Sequence, residues 1–226
     1  PSCRAHTPIP ILGKMFRYLA NQTKTNICCH VDHGYTLDEC YEGIDSGFTS
    51  VMFDGSKLSL KENIKISKII ASRAHKHNIS VEGEIGFVGY DNGKISEGTN
   101  IEDAVTFANK SNIDAMAISV GNTHLQTSKK ASIDFNKINL IEAKTKIPLV
   151  LHGSSGIPVE QRKKLARKTK VAKLNIGTEI RMTFGEALRK NLKNNPKTYD
   201  RLQLLKPTIK DLTKVTKKII KQIGPN

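Results

Sequence analysis

The chain has 226 residues, enough for one good-sized core, and a single domain spanning 1–226 is expected. Its 38% hydrophobic and 25% charged residues exclude a disordered chain. No apolar run approaches the roughly 20 residues that span a bilayer, so a membrane partner is excluded as well. The formal charge of +15 raises nucleic acid as a partner. The lysines, however, are spread through helical stretches and thicken towards the end (Lys206, Lys210, Lys214, Lys217, Lys218, Lys221), Trp is absent, and no zinc-finger spacing or RNA-binding signature occurs. A solvated basic surface is expected, not a nucleic-acid face, and it is compatible with attracting a phosphorylated substrate. The opening PSCRAHTPIP has no apolar signal segment, and Cys3, Cys28, Cys29 and Cys40 form no CxxC or disulfide framework. A reducing, cytoplasmic setting is the expectation.

In chain order, Leu12, Met15, Phe16 and Leu19 form a first helical stripe. Strands are predicted at Asn26–His33, Phe48–Asp54, Ile79–Gly86, Ile113–Gly121, Ile147–Gly153 and Val171–Gly177, from short β-branched runs. Cys28 and Cys29 are small residues filling the first of these. A longer, mixed helical stripe runs through Ile64, Ser67, Lys68, Ala71 and Ala74, and Asn100 caps a helix with acids in its first turn. Pro158 opens another helix, and the last, Ile209 to Ile223, is closed off by Gly224 and Pro225.

Alternating βα units admit a doubly wound sheet or a barrel, and the polar residues decide between them. Nearly every strand ends on a residue with chemistry: Asp32 and His33, Asp54, Glu82 and Glu84, Asn122 and His124, His152, Asn175. A barrel gathers the C-terminal ends of many strands at one site, whereas an open sheet joins only a few at its switch point. The fold class is therefore α/β, a (β/α)8 TIM barrel. Since a closed barrel of this type has eight strands and six are predicted, the first two βα units (roughly 50 residues) are expected to be lacking ahead of Asn26.

His33, His124 and His152 follow three different strands. Three neutral imidazoles leave one tetrahedral position of zinc open, as in a catalytic site, and an imidazole set without thiolate suits zinc or a neighbouring divalent metal. His6, His75 and His77 are ordinary surface residues on this reading, and His30 is a supporting residue. Asp32, beside His33, is either a general acid/base or a loop-capping carboxylate. Strand alternation would turn the pair to opposite faces unless the strand ends there. Glu82 and Glu84 share one face of a strand, where two carboxylates are costly unless paired or metal-bound. His152-Gly-Ser-Ser-Gly and Asn175-Ile-Gly-Thr end the last two strands, and their amides and hydroxyls suit a phosphate.

Six segments together resemble a known family: His30-Val-Asp-His-Gly, Gly47-Phe-Thr-Ser-Val-Met-Phe-Asp-Gly-Ser, Val81-Glu-Gly-Glu-Ile-Gly, Gly121-Asn-Thr-His, Pro148-Leu-Val-Leu-His-Gly-Ser-Ser-Gly-Ile-Pro and Lys173-Leu-Asn-Ile-Gly-Thr-Glu-Ile-Arg. They look like class II, zinc-dependent fructose-bisphosphate and tagatose-bisphosphate aldolases, in the family's order, from about Leu12 to the end. The resemblance implies a lyase of carbohydrate metabolism and glycolysis. It would cleave fructose 1,6-bisphosphate or tagatose 1,6-bisphosphate reversibly to dihydroxyacetone phosphate and glyceraldehyde 3-phosphate.

The resemblance further implies that His33, His124 and His152 bind Zn²⁺, which polarises the ketose carbonyl as a Lewis acid. It implies that Asp32 exchanges a proton with the hydroxyl at the C3–C4 bond and that Asn175 contacts the enediolate. Gly153, Ser155 and Thr178 would hold the phosphate, and Arg181 the phosphate of the aldehyde half. Asp54 and Glu84 stand as supporting residues or alternative metal ligands. A monovalent cation (Na⁺ or K⁺) near the phosphate and a homodimer or homotetramer are also implied. The alternative is a truncated or divergent homologue that binds zinc or sugar phosphate without efficient turnover.

The chain departs from the family at four places. The stretch Gly89-Tyr-Asp-Asn-Gly lacks the loop glutamate, leaving Asp91 as its nearest substitute. Leu125 replaces the glycine after the second histidine, the Gly-x-Tyr continuation is gone, and Gly177 stands where fructose-bisphosphate members carry Asp.

Overall fold

The computed structural model describes residues 2–90 and 96–224. Asp91 and Pro225 lie outside the described residues. Two helices, α1 (Ser2–His6) and α2 (Ile9–Asn21), precede six repeats of strand and helix. These are β1 (His30–Gly34), α3 (Leu37–Asp45), β2 (Ser50–Phe53), α4 (Leu60–Lys76), β3 (Ser80–Ile85), α5 (Ile101–Lys110), β4 (Ala115–Ile118), α6 (Phe135–Lys144), β5 (Leu149–Leu151), α7 (Val159–Lys168), β6 (Val171–Leu174) and α8 (Thr178–Asn194). Then come α9 (Arg201–Leu205) and α10 (Thr208–Ile223). No helix among the described residues is long and apolar enough to cross a membrane.

All six strands are parallel and pair in chain order, β1 to β6, with no reversal. A doubly wound sheet would reverse its strand order at a switch point, so the order itself is that of a barrel wall. The sheet curls far enough for its ends to meet through side chains. Lys173 of β6 lies 3.3 Å from His30 of β1, and Asn175 donates to Asp32 across 3.0 Å. Between these ends opens a cavity of about 600 Å³, lined by Phe16, Leu19, Ile27, Asp32, Asn175 and Ile176 among others.

The two faces of the sheet differ in chemistry. Val51, Phe53, Val81, Met116, Ile118, Leu149 and Leu151 pack outward against the helices in the main core. The concave side carries a small apolar floor of Met52, Ala117 and Val150, and beside it the buried Glu82, Glu84 and His152. Asn100 caps its helix as expected, accepting from the Asp103 amide, and Ser59 and Glu62 close a reciprocal capping box at the start of α4.

Three expectations are corrected. The strands are shorter than predicted, and Cys28 and Cys29 precede β1 instead of lying within it, because pairing with β2 begins only at His30. In α2 the buried positions are Ile9, Leu12, Gly13 and Ala20, while Met15 and Leu19 are exposed. Gly13 fixes this rotation: a Cβ there would lie 2.3 Å from the Ser46 carbonyl oxygen, so only the glycine face can approach α3 closely. Finally, β1 does not end at His33. Instead His33 adopts a left-handed backbone (φ 55°) and the pairing slips between Val31 and Gly34. This bulge breaks the alternation and puts both Asp32 and His33 at the site.

Candidate metal centre and phosphate loops

His33, His124 and His152 come together from the ends of β1, β4 and β5, with one ring nitrogen from each within 4.8 Å of the others. Ring centroids lie 4.5 Å apart for His33 and His152, 5.3 Å for His33 and His124, and 5.9 Å for His124 and His152. Each of two rings is anchored from behind by a carboxylate. Asp54 Oδ2 is 2.8 Å from His33 Nδ1, and Glu82 Oε1 is 2.8 Å from His152 Nε2. When these nitrogens donate to their carboxylates, His33 Nε2 and His152 Nδ1 are left with lone pairs, and those two atoms face each other at 2.8 Å. Two facing lone pairs repel unless a proton or a cation lies between them. A carboxylate behind each imidazole is the usual second layer of a zinc–histidine site, and the donor set fits a divalent transition metal.

The electrostatics favour neutral rings at His124 and His152. Burial, aided by the neighbouring His33 and His152 rings, lowers the His124 pKa to about 4, and burial also lowers that of His152. His30 falls to about 4 through burial and the neighbouring Lys173 ammonium. For Glu82, burial works upward but is outweighed by the His152 hydrogen bond and Lys173, which hold it at about 2. Glu84 goes the other way. Burial and the carboxylates of Asp54 and Glu82 push it well above the usual range, and its Oε2 has no hydrogen-bond partner. His33, Asp54 and Glu84 form a second ligand-competent group, sharing His33 with the first.

Asp32 sits exposed at the rim, its Oδ1 accepting from Asn175 Nδ2. Partial desolvation by the surrounding site would raise its pKa, but the neighbouring His33 and His152 rings and the Lys173 ammonium prevail and lower it, so the carboxylate is ionised and able to accept a proton.

The loops after β5 and β6 meet beside this cluster. Gly153 has φ 62°, and a Cβ on it would stand 2.3 Å from the Thr123 carbonyl oxygen, so the residue must be glycine for the His152 and His124 loops to touch. Ser155 Oγ accepts from the Glu179 amide in the first turn of α8, where Thr178 also lies. Arg181 folds back so that its Nη2 donates to Thr178 Oγ1. A Cβ at position 177 would lie 2.8 Å from Arg181 Nη1, and Gly177 therefore permits this fold-back.

Among the described residues, those named for the metal, the proton or the phosphate lie on the C-terminal rim, in the concave face of the sheet or at the start of α8. His30 holds a supporting place, its Nδ1 2.8 Å from Ser50 Oγ. Four contributors were not assigned roles from sequence. Lys173 pairs with Glu82 Oε2 at 2.8 Å, although it opens one of the matched motifs. Tyr35 and Tyr90 stack on His33 and His124, with centroids 6.2 and 5.1 Å apart. Asn122 donates to the carbonyls of Ile118 and His152, bracing the two histidine loops. Alternation marks Lys173 as inward-facing, two residues before Asn175. Nothing in the local sequence marks the tyrosines.

A parallel barrel wall with imidazoles and carboxylates gathered at its C-terminal rim is the arrangement of barrel enzymes, and this donor set could hold a metal ion. A family profile described as fructose-bisphosphate aldolase class-II matches residues 1–226. The chain is 37% identical over 201 residues to a 6-phospho-5-dehydro-2-deoxy-D-gluconate aldolase of Shouchella clausii, covering 88% of this chain and 68% of that one. It is 33% identical over 202 residues to a fructose-bisphosphate aldolase of Staphylococcus aureus, covering 88% and 70%. Among solved structures, the YdjI aldolase from Escherichia coli K12 superposes with a TM-score of 0.80 at 26% identity, covering 97% of this chain and 77% of that one. The chain belongs to the class II fructose-bisphosphate aldolase family, whose members are generally metal-dependent and act on sugar phosphates.

Proposed function

We propose that this chain is a zinc-dependent aldehyde-lyase that cleaves a phosphorylated ketose between the carbons α and β to its carbonyl and releases dihydroxyacetone phosphate. The observation that carries the reading is the facing pair His33 Nε2 and His152 Nδ1, 2.8 Å apart, in a cluster completed by His124 and set beside the Asp32–Asn175 pair. His33, His124 and His152 hold the zinc. A divalent ion bound there supplies Lewis acidity toward a carbonyl oxygen. Asp54 and Glu84 support His33 and offer an alternative inner position for the ion.

Asp32 takes the proton from the hydroxyl that becomes the aldehyde and returns it in the condensation direction, with Asn175 fixing the orientation of its carboxylate. Gly153, Ser155 and Thr178 hold the phosphate, with a monovalent cation (Na⁺ or K⁺) nearby, and Arg181 pairs with the anionic group of the aldehyde half. The six strands represent the third to eighth of an eight-stranded barrel. The phosphate-type loops support this, since they follow β5 and β6 and such loops follow strands seven and eight of the full fold. We take residues 1–226 as one domain, acting in the cytoplasm, where its free cysteines stay reduced. We take it as a homodimer or homotetramer, with Leu192, Leu202 and Ile209 exposed on the last helices as apolar surface to be covered.

Fructose 1,6-bisphosphate or tagatose 1,6-bisphosphate is the first substrate reading, with glyceraldehyde 3-phosphate as second product. The Shouchella clausii relative favours a second, 6-phospho-5-dehydro-2-deoxy-D-gluconate. Its cleavage at the equivalent bond gives the same ketose phosphate and an aldehyde bearing a carboxylate in place of a phosphate. A homologue that binds zinc or sugar phosphate without turnover is favoured by the loop Gly89-Tyr-Asp-Asn-Gly, which has no glutamate.

The test offers each of the three substrates to the zinc-loaded chain and follows dihydroxyacetone phosphate, their common product, with and without chelator. Chelator-sensitive release from one substrate is the expected result. Stoichiometric zinc with no release from any of them would mean binding without turnover.

A further inference from the structure

Behind the phosphate loops lies an arginine that the proposed chemistry leaves unused. Arg162, on α7, is fully buried. Its Nη2 donates to the Ser155 carbonyl at 2.7 Å and to Glu179 Oε2 at 2.6 Å. Lys129 reaches the same two acceptors from the loop between β4 and α6, at 3.3 Å and 2.9 Å. Two cations thus share one carbonyl and one carboxylate, closing a ring across three loops. The loop after β4 brings Lys129 and carries His124; the loop after β5 brings Ser155 and follows His152; the first turn of α8 brings Glu179, next to Thr178. The loops also touch through Gly156, whose carbonyl accepts from the Ala131 amide, and Gln126 presses against its Cα.

Arg162 is an expensive way to hold a fold together. Its Nε and Nη1 have no hydrogen-bond partner among the described residues. Buried donors left unpaired cost stability, and an apolar side chain of similar volume commonly serves packing as well or better. What an apolar residue does not supply is the position of Ser155 and of the first turn of α8, nor the surplus positive charge: two cations against the single carboxylate of Glu179. Both act on the place where Ser155 Oγ, Thr178 and the α8 amides converge.

We propose that Arg162 and Lys129 are positioning residues for a phosphate monoester, locking the loops after β4, β5 and β6 into one anion-binding surface and adding net positive charge behind it. The proposal rests on the phosphate-loop reading given above. It concerns residues that do not themselves touch the substrate.

The experiment is calorimetric titration of inorganic phosphate into the zinc-loaded chain, beside steady-state cleavage kinetics. Arg162→Met is expected to weaken phosphate about tenfold or more and to raise KM by a similar factor, with kcat and zinc content close to wild type. Arg162→Lys should recover part of the loss. Lys129→Ala, at an exposed position where folding is not at stake, is expected to weaken phosphate about threefold, and it decides the matter if Arg162→Met does not fold. Wild-type phosphate affinity in both variants would overturn the clamp while leaving the aldolase reading intact. If the wild-type chain itself binds no phosphate, the phosphate-loop reading fails, and the clamp fails with it.

Discussion

His33 and His152 present their free nitrogens to each other across 2.8 Å, and each ring is fixed from behind by a carboxylate, the half-buried Asp54 for the first and the buried Glu82 for the second. The arrangement is set by backbone as much as by side chains. The left-handed turn at His33 brings its ring inward beside Asp32, and Asn122 ties the His152 carbonyl to the loop that carries His124.

The carboxylate behind His152 can be tested on its own. Glu82→Gln preserves shape but gives up the charge that holds the His152 Nε2 proton and the Lys173 ammonium. Loss of such a partner costs about 10- to 100-fold in metal affinity, and competition with a chromophoric chelator should find zinc binding weakened in that range. Unchanged affinity would show that Glu82 does not orient the ring.

Asp32 carries the proton in this account but is not a ligand. Asp32→Ala should retain zinc while cleavage falls about 10²- to 10⁴-fold, the usual contribution of a positioned acid/base. Product release and metal content measured on one sample separate the two effects. A fully active variant would remove Asp32 from the chemistry.

Acid should destabilise the metal-free chain, and the sign follows from proton uptake. His30 and His124, held near 4, and His152, also lowered, bind fewer protons folded than unfolded, so their contribution is lost as pH falls from about 6.5 towards 4. Glu82, held near 2, adds a loss as pH falls from about 4.5 towards 2. Glu84 opposes them above about 4.5, because its raised pKa makes it a net cost once the unfolded carboxyl ionises. Three imidazoles outweigh one carboxyl, and urea midpoints measured from pH 7 to pH 4 should fall. Midpoints that rise on acidification would contradict the buried, neutral state of these rings.

Two left-handed positions predict opposite outcomes. Leu125 is exposed with φ 59°, a conformation that costs a side-chain-bearing residue roughly 1 kcal/mol, so Leu125→Gly should be neutral or stabilising by up to about 1 kcal/mol. Gly153→Ala meets the same backbone penalty and drives its Cβ into the Thr123 carbonyl. It should destabilise by more than about 1 kcal/mol and weaken phosphate as well. Denaturant midpoints at constant slope check both.

The clustering at the rim is legible in the sequence because chemistry sits at strand ends, and a parallel barrel brings strand ends together wherever they lie in the sequence. His33, His124, His152, Asp54 and Asn175 come together in this way. What stayed hidden depends on contacts between elements. Tyr35 and Tyr90 become visible only once their loops fold over the histidines, and Arg162 reads as an ordinary surface residue of a basic helix until α7 is packed. The buried face of α2 departs from its hydrophobic stripe because Gly13, which sets that face by close approach to Ser46, carries no hydrophobic signal. Asp32 and His33 reach the same site through a bulge that the alternation rule does not foresee.

The most direct measurement is X-ray absorption at the zinc edge of the chain equilibrated with one equivalent of Zn²⁺, compared with the His33→Ala, His124→Ala and His152→Ala variants. The account predicts one zinc per chain, with nitrogen neighbours at about 2.0–2.1 Å and imidazole scattering that diminishes in each variant. A zinc environment left unchanged by all three substitutions, or no stoichiometric zinc at all, would contradict it.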